Sequence, residues 1–201
     1  MKVFFVSAQF FLLFISCQSN SSFTIENQTQ FSEQDSIAIV SLMHSMYQWE
    51  DSVKHFDNFP LVEDASKNTY LGIDFDKQRN NETMLANSTY FSSQWITQYH
   101  QLASTIDSLL AKKIYEWPVG EMCSFTTDVN PWWEAQDVPE NFPWSISIEA
   151  IQYDGREVSF LTRWWKDKTY AMRCIKEQGG WKISYLQGFD PHRFFIYNIQ
   201  P

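Results

Sequence analysis

Apolar residues recur at helical spacing in two stretches of the chain. In residues 35–56 they would line one face of a helix: Ile39, Met43, Met46 or Tyr47, Trp49, Val53 and Phe56. A second stretch, in residues 91–114, has the same spacing and follows several serines that can cap a helix. Residues 57–87 show no sustained period. We therefore predict two helices joined by a long loop, with at most a short helix or strand in residues 70–75.

From Trp144 onward the period changes to two residues, which is the period of a strand. Apolar and polar side chains alternate in residues 144–150, 158–165, 170–175 and 181–185. Asp154-Gly155 and Gly179-Gly180 are hairpin turn signals between these segments. Four strands with three short turns predict an antiparallel meander that buries one face. The two amphipathic helices are its obvious cover, so the predicted class is α+β, with the helices before the sheet.

The chain is acidic and rich in aromatic residues. Its 201 residues include 15 Lys or Arg and 24 Asp or Glu, which gives a formal net charge of -9. Nucleic-acid-binding proteins normally carry a basic stripe, and the longest basic run here is Lys112-Lys113. We therefore expect no nucleic-acid partner. Aromatic residues make up 17% of the chain, which favours a wide aromatic core or a stacking pocket.

The first sixteen residues read as a secretory signal peptide. Lys2 precedes an apolar stretch that is short for a membrane-spanning helix, and the small residue Ser16 ends it. Cys17 follows directly, so residues 13–17, LFISC, resemble the lipobox of bacterial lipoproteins. The alternative is an ordinary signal cleaved near Ser16, with Cys17 as a chance residue or a disulfide partner.

Lipidation of Cys17 would anchor the mature protein to a membrane without crossing it. Residues 17–33 are polar and lack apolar periodicity, so we expect a lipid-anchored tether, followed by one domain over residues 34–201. Gln18, rather than Asp, follows the cysteine. In the enterobacterial sorting rule this residue indicates the outer membrane, and we expect the domain to face the periplasm.

Two cysteines remain once Cys17 is assigned to the lipid. An oxidising envelope permits Cys123 and Cys174 to form a disulfide. The alternative is a pair of buried free thiols, because Cys174 lies on an apolar strand face and cysteine is among the most buried residue types.

The order of elements is similar to that of the nuclear transport factor 2-like superfamily, which has a cystatin-like cone. Residues 130–137, NPWWEAQD, resemble the Asp-Pro-Phe-x-x-Ala-Gln-Asp signature of uncharacterised bacterial envelope lipoproteins, the YbjP/YqhG-like group. Asn130 and Trp132 differ from that signature, whereas Gln136 and Asp137 agree with it. The resemblance implies two helices packed on a curved four-stranded meander in a Gram-negative envelope. It implies no settled chemistry.

The candidate pocket lies in the acidic, aromatic segment of residues 128–144. Its residues are Trp132, Trp133, Gln136, Asp137 and Trp144. In an aromatic cavity, desolvation would raise the pKa of a carboxyl such as Asp137 and suit it to acid or base catalysis, as in some enzymes of that superfamily. The indoles would otherwise stack on a sugar or a peptide. The alternative is a purely structural role, in which Asp137 caps a turn and the tryptophans pack between the sheet and the second helix.

A second candidate is the pair Trp164-Trp165. Adjacent strand residues point to opposite faces, so one of these indoles must face away from the helices, where it would form a contact surface. The sequence has no metal, nucleotide or nucleophile-elbow motif, and we expect no cofactor.

These observations favour binding over catalysis as the function. We expect a membrane-anchored module that binds another envelope protein through its sheet or its aromatic loop. The rival is a small-molecule or glycan-binding domain, or a cone-type hydrolase or isomerase that uses Asp137. The sequence leaves the ligand, the partner and the oligomeric state open.

Overall fold

The computed structural model describes the chain from the start of the first helix almost to the carboxyl end. The described residues are 31–53, 56–66, 68–114, 116–120, 129–137, 145–165 and 168–195. The predicted signal peptide, Cys17, the lipobox and most of the tether lie outside them. In the described part, no helix is long and apolar enough to cross a membrane.

The architecture is α+β, as predicted. The helices are α1 (Glu33–Ser52), α2 (Phe75–Ser88), α3 (Ser93–Ala111) and α4 (Pro191–Phe194), with a 3-10 turn at Gln187–Phe189. The strands are β1 (Leu61–Glu63), β2 (Tyr70–Ile73), β3 (Ser147–Tyr153), β4 (Glu157–Trp165), β5 (Lys168–Glu177) and β6 (Gly180–Leu186). β1 and β2 form an antiparallel pair, and β3 to β6 form an antiparallel sheet in the order β3-β4-β5-β6.

Helix α1 confirms the first predicted helix. Ser32 is its N-cap and forms a capping box with Asp35, which satisfies backbone amides of the first turn. The helix buries four residues at the predicted spacing: Ile39, Met43, Met46 and Tyr47. The apolar stripe therefore faces the core, as a helix over a sheet requires.

The segment of residues 57–87 is not the predicted long loop, although β2 confirms the short strand that was allowed in residues 70–75. It contains the β1-β2 hairpin and the 14-residue helix α2, which is capped by the side chain of Asp74. The helix buries Gln78, Asn81 and Leu85, which are three and four residues apart. Two of these three residues have amide side chains, so the buried stripe of α2 has helical spacing but is not hydrophobic. A pattern of apolar residues cannot reveal such a helix.

Helix α3 confirms the second predicted helix. Its N-cap is Ser92, whose hydroxyl accepts a hydrogen bond from the amide of Trp95 at 3.1 Å. The helix ends at Ala111, so the predicted last apolar position, Ile114, lies outside it and is exposed. The buried stripe is Trp95, Tyr99, Leu102, Ala103, Ile106, Leu109 and Leu110.

The meander is confirmed, and two of its turns lie at the predicted Asp154-Gly155 and Gly179-Gly180. Alternate side chains of β4 are buried against the helices: Val158, Phe160, Thr162 and Trp164. The outer edge of β6 is covered by the start of α3, because the amide of Ser92 donates to the carbonyl of Ile183 and the amide of Ile183 donates to the carbonyl of Tyr90. Both bonds are 2.9 Å long.

Helix α1 is tied to the sheet at both of its ends. Near the amino end, the Asp35 carboxylate accepts from Lys176 at 2.9 Å and from the Trp181 indole at 3.0 Å. Near the carboxyl end, the rings of Tyr47 and Trp164 meet edge to face, with centroids 6.2 Å apart. The helix therefore lies against the sheet along most of its length.

Asp35 should make the stability of the domain sensitive to acid. The hydrogen bonds from Lys176 and Ser32 hold its pKa well below its usual range. A carboxyl with a depressed folded pKa stabilises the fold above its unfolded pKa, near 4, and this contribution is lost as the pH falls below that value. We expect Asp35→Asn to be less stable at pH 7 and to lose less further stability between pH 4 and pH 2.5. Urea unfolding at each pH measures this.

Asp137→Asn is the matched control, because the Asp137 side chain is exposed and bonds to no described group. It should follow the wild-type pH dependence. If Asp35→Asn loses as much stability as the wild type between pH 4 and pH 2.5, the assignment of this acid sensitivity to Asp35 is wrong.

Candidate functional site

The predicted site segment folds into a compact turn, residues 129–137, which we call the tryptophan loop. Asn130 and Ala135 form an antiparallel bridge, and the Asn130 side chain accepts from the amide of Trp132 at 3.0 Å. Glu134 has a φ of 48°, a left-handed conformation that closes the turn. The loop is therefore stabilised by hydrogen bonds between its own residues, in addition to its contacts with the rest of the domain.

The Trp132 side chain fills the interior between the helices and the carboxyl-terminal turn. It is fully buried, and its indole contacts four aromatic rings with centroids 4.9 to 6.1 Å away: Phe56, Phe91, Trp95 and Phe189. Most of these pairs are tilted or edge to face, the arrangement that aromatic rings prefer in cores. Trp132, which was predicted to line a pocket, is therefore packed among aromatic rings instead.

Two buried tyrosines hold the backbone of the tryptophan loop. The Tyr47 hydroxyl donates to the carbonyl of Trp132 at 3.1 Å, and the Tyr170 hydroxyl donates to the carbonyl of Pro131 at 2.8 Å. Tyr170 also accepts from the amide of Gly188 at 2.9 Å. Burial raises the pKa of both phenols, so they stay neutral donors. The tyrosines satisfy backbone carbonyls that water does not reach.

Glu134 has a structural role at the rim of the loop. Its carboxylate accepts from Gln187 at 2.6 Å and from Arg193 at 3.2 Å. Its backbone carbonyl accepts from Lys168. These contacts join the loop to β5 and to the carboxyl-terminal turn.

The five predicted pocket residues do not line one cavity in the described part of the chain. Trp132 and Trp133 are buried in the core, whereas Gln136 and Asp137 are exposed. Trp144 lies outside the described residues.

The second candidate pair is divided in a similar way. Trp164 is buried and packs on Tyr47 and Tyr170, so it contributes to the core and not to an exposed contact surface. The side chain of Trp165 lies outside the described part. Cys174 is a fully buried free thiol in this structure, and burial raises its pKa. Its predicted partner, Cys123, is not among the described residues, so the disulfide stays a prediction.

The most perturbed carboxyl in the physiological range was not predicted. Burial, with a smaller contribution from Asp51, raises the pKa of Glu50 on α1 to about 7. Glu50 lines neither of the recesses described below, and a shifted pKa without a neighbouring reactive group does not make a catalytic site. Within the described residues, no three His, Cys, Asp or Glu side chains are grouped to hold a metal ion.

Two accessible recesses adjoin at strands β5 and β6. The first, about 460 Å³, lies on the strands and includes Gln152, Ser159, Leu161 and Ala171. The second, about 550 Å³, lies between α3 and the carboxyl-terminal turn. Arg173 and Tyr185 line both recesses, so we treat them as one open groove and call it the outer groove.

The Arg173–Tyr185 pair is the centre of the outer groove. These residues are cross-strand partners, and the guanidinium lies 4.7 Å from the centre of the Tyr185 ring. Arg173 also pairs with Glu157 at 3.4 Å. The Tyr185 hydroxyl donates to Asp190 at 2.8 Å. Burial, and to a smaller extent this hydrogen bond, raises the pKa of Tyr185 to about 12.

Sequence analysis missed the outer groove, although part of its signal was present. Gln94, Gln98 and Gln101 are spaced four and three residues apart and form a polar stripe on a helix that was predicted. The pairing of Arg173 with Tyr185 could not be predicted, because a bulge next to Arg173 shifts the register between β5 and β6.

Comparisons with protein-family models, with curated proteins and with solved structures find no match to this chain. The resemblance to envelope lipoproteins therefore stays a prediction.

The close contact between the tryptophan loop and Gly188 gives a direct stability test. A Cβ at Gly188 would lie 1.9 Å from the carbonyl oxygen of Pro131, so Gly188→Ala must displace the loop. We expect a loss of about 2–3 kcal/mol in the free energy of unfolding, as in overpacked cores. Urea unfolding measures this loss.

Gly180→Ala is the matched control, because no atom lies within 4 Å of its added Cβ. Its stability should stay within about 1 kcal/mol of the wild type. Equal unfolding midpoints for the two variants would show that the loop does not pack against Gly188.

Proposed function

We propose that this protein is a lipid-anchored, non-catalytic binding module of a Gram-negative envelope, which holds another envelope protein at its outer groove. The observation that carries the proposal is the complete burial of Trp132. The indole occupies the interior that the described residues enclose, which favours the outer groove as the accessible binding surface. An open groove suits a segment of another protein better than an enclosed small molecule.

The chemistry of the groove also favours binding over catalysis. The Glu157 carboxylate accepts from Arg173 and from Ser184, and the Asp190 carboxylate accepts from Tyr185 and from the backbone amide of His192. Both carboxylates are therefore engaged as hydrogen-bond acceptors within the protein. Asp137, the sequence candidate for acid or base catalysis, is exposed and lines neither recess.

The same proposal assigns the domain to the nuclear transport factor 2-like superfamily and to the envelope lipoproteins that its sequence resembles. Helices followed by a four-stranded antiparallel meander are consistent with such a cone, here filled by its own aromatic residues. The envelope location depends on Cys17 as the lipidated residue. The polar segment between Cys17 and the start of α1 would keep the domain near the membrane surface.

Photocrosslinking in intact envelopes tests the proposal. p-Benzoylphenylalanine would replace Ser159, which lines the outer groove, or Asn80, which is exposed on α2 and serves as the control. We expect one discrete crosslinked protein from position 159 and none from position 80. We also expect mass analysis of the amino terminus to find an acylated Cys17, and Cys17→Ala to lose the crosslink along with the anchor.

Equal crosslinking from positions 159 and 80, or none from either, would contradict the assignment of the outer groove. An amino terminus without lipid would contradict the anchored module, whatever the crosslinking result.

A further inference from the structure

The outer groove has a wall of amide side chains. Gln94, Thr97, Gln98 and Gln101 follow one face of α3, and the rise of a helix gives this stripe a length of roughly 10 Å. Gln98 donates to the carbonyl of Phe189 at 2.9 Å. Within the described residues, the side chains of Gln94 and Gln101 bond to no protein group. Each amide offers both donors and an acceptor, the complement of a peptide main chain.

The sheet half of the groove is different, because its floor is apolar. Leu161 of β4 and Ala171 of β5 are directly paired on this face, and Gln152 and Ser159 lie at the polar rim. The small side chain of Ala171 leaves room beside Leu161. A floor of this kind accommodates one aliphatic side chain of a ligand.

The charges that line the groove are compensated by one another. Arg173 faces Glu157, and Asp190 is hydrogen-bonded to Tyr185. His192 is exposed at the rim. A strongly charged ligand would therefore meet opposing charges, whereas an uncharged ligand would not displace an existing pair.

The aromatic lining argues against a sugar. Phe160 is buried, and the Tyr185 ring carries the Arg173 guanidinium on one face. Stacking on a sugar needs an open aromatic face, and the Arg173 guanidinium leaves at most one face of the Tyr185 ring for it. The α3 stripe, roughly 10 Å long, matches about three residues of an extended chain.

We propose that the outer groove binds an extended, uncharged peptide segment of the partner protein. One aliphatic side chain of this segment lies over Leu161 and Ala171, and its main chain hydrogen-bonds to Gln94 and Gln101. This inference rests on the proposed function and names the ligand class of the same site.

The test begins with a random dodecapeptide library displayed on phage and selected on the mature chain. The enriched peptides are synthesised with a fluorophore, and their affinity is measured by fluorescence anisotropy. We expect uncharged peptides with a recurrent Leu, Ile or Val. The double variant Gln94→Ala/Gln101→Ala should bind them about tenfold more weakly, since it removes two hydrogen bonds to the ligand.

Two further variants complete the design. Leu161→Thr keeps a strand-forming residue and removes apolar surface from the floor, so it should weaken the same peptides. Gln48→Ala is the matched control, an exposed glutamine on α1 away from the groove, and it should bind as the wild type does. Thermal unfolding confirms that each variant is folded before its affinity is compared.

Several results would overturn the inference. These are enriched peptides that bind the double variant as tightly as the wild type, peptides selected for a recurrent charge, and no enrichment at all. Binding of chitohexaose that is lost in the double variant would assign the groove to a glycan. If position 159 still crosslinks to one envelope protein while the peptide test fails, the proposed function stands and only the extended peptide is wrong, since a folded surface then occupies the groove.

Discussion

The burial of the Trp132 indole is the contact on which the rest of this domain depends. Helices that cover a sheet leave a gap where the layers diverge, and protein interiors do not tolerate large voids. Here the gap is filled by one indole from a loop, surrounded by aromatic rings from α3 and the carboxyl-terminal turn. The backbone of the tryptophan loop is buried together with the indole, so the hydroxyls of Tyr47 and Tyr170 must donate hydrogen bonds to the loop carbonyls. Gly188 is required at the closest approach because no side chain fits there.

This packing also determines where function can reside. A domain whose interior is occupied by its own side chains presents its chemistry on its outer faces. The outer groove has features of a binding surface: hydrogen-bonding amides, a small apolar floor, and an Arg–Tyr pair fixed by its neighbours. Arginine and tyrosine are enriched among the residues that carry binding energy in protein interfaces. The carboxylates of the groove accept hydrogen bonds from this pair.

Much of the fold could be predicted from the sequence, because periodicity reports burial where the buried residues are apolar. Helix α3 and the meander meet that condition, and their turns carry glycine at positive φ, as at Gly155 and Gly179. Helix α2 does not meet that condition, because its buried residues Gln78 and Asn81 have polar amide side chains. The Asn81 amide donates to the carbonyl of Asp57 at 2.7 Å, and the Gln78 amide donates to Glu82 at 3.0 Å. A local pattern contains no information about a distant partner such as Asp57.

The candidate site was predicted only in part, for a related reason. The tryptophan loop was recognised as unusual from its composition, but composition does not say whether an indole lines a cavity or fills it. That outcome depends on Tyr47, Tyr170 and Gly188, which are distant in sequence. The outer groove depends on strand register, which a single bulge at Arg173 changes.

The most direct measurement of the central claim is hydrogen exchange at the Trp132 indole. In protein labelled with ¹⁵N-tryptophan, and with the signal assigned by Trp132→Phe, solvent exchange of its Nε1 proton can be followed by NMR. Because the indole is fully buried, exchange requires the domain to open. We predict that this proton persists as long as the slowest backbone amides of α3. Exchange within the first spectrum, at the rate of a solvent-exposed indole, would show that the interior is open and that Trp132 does not fill it.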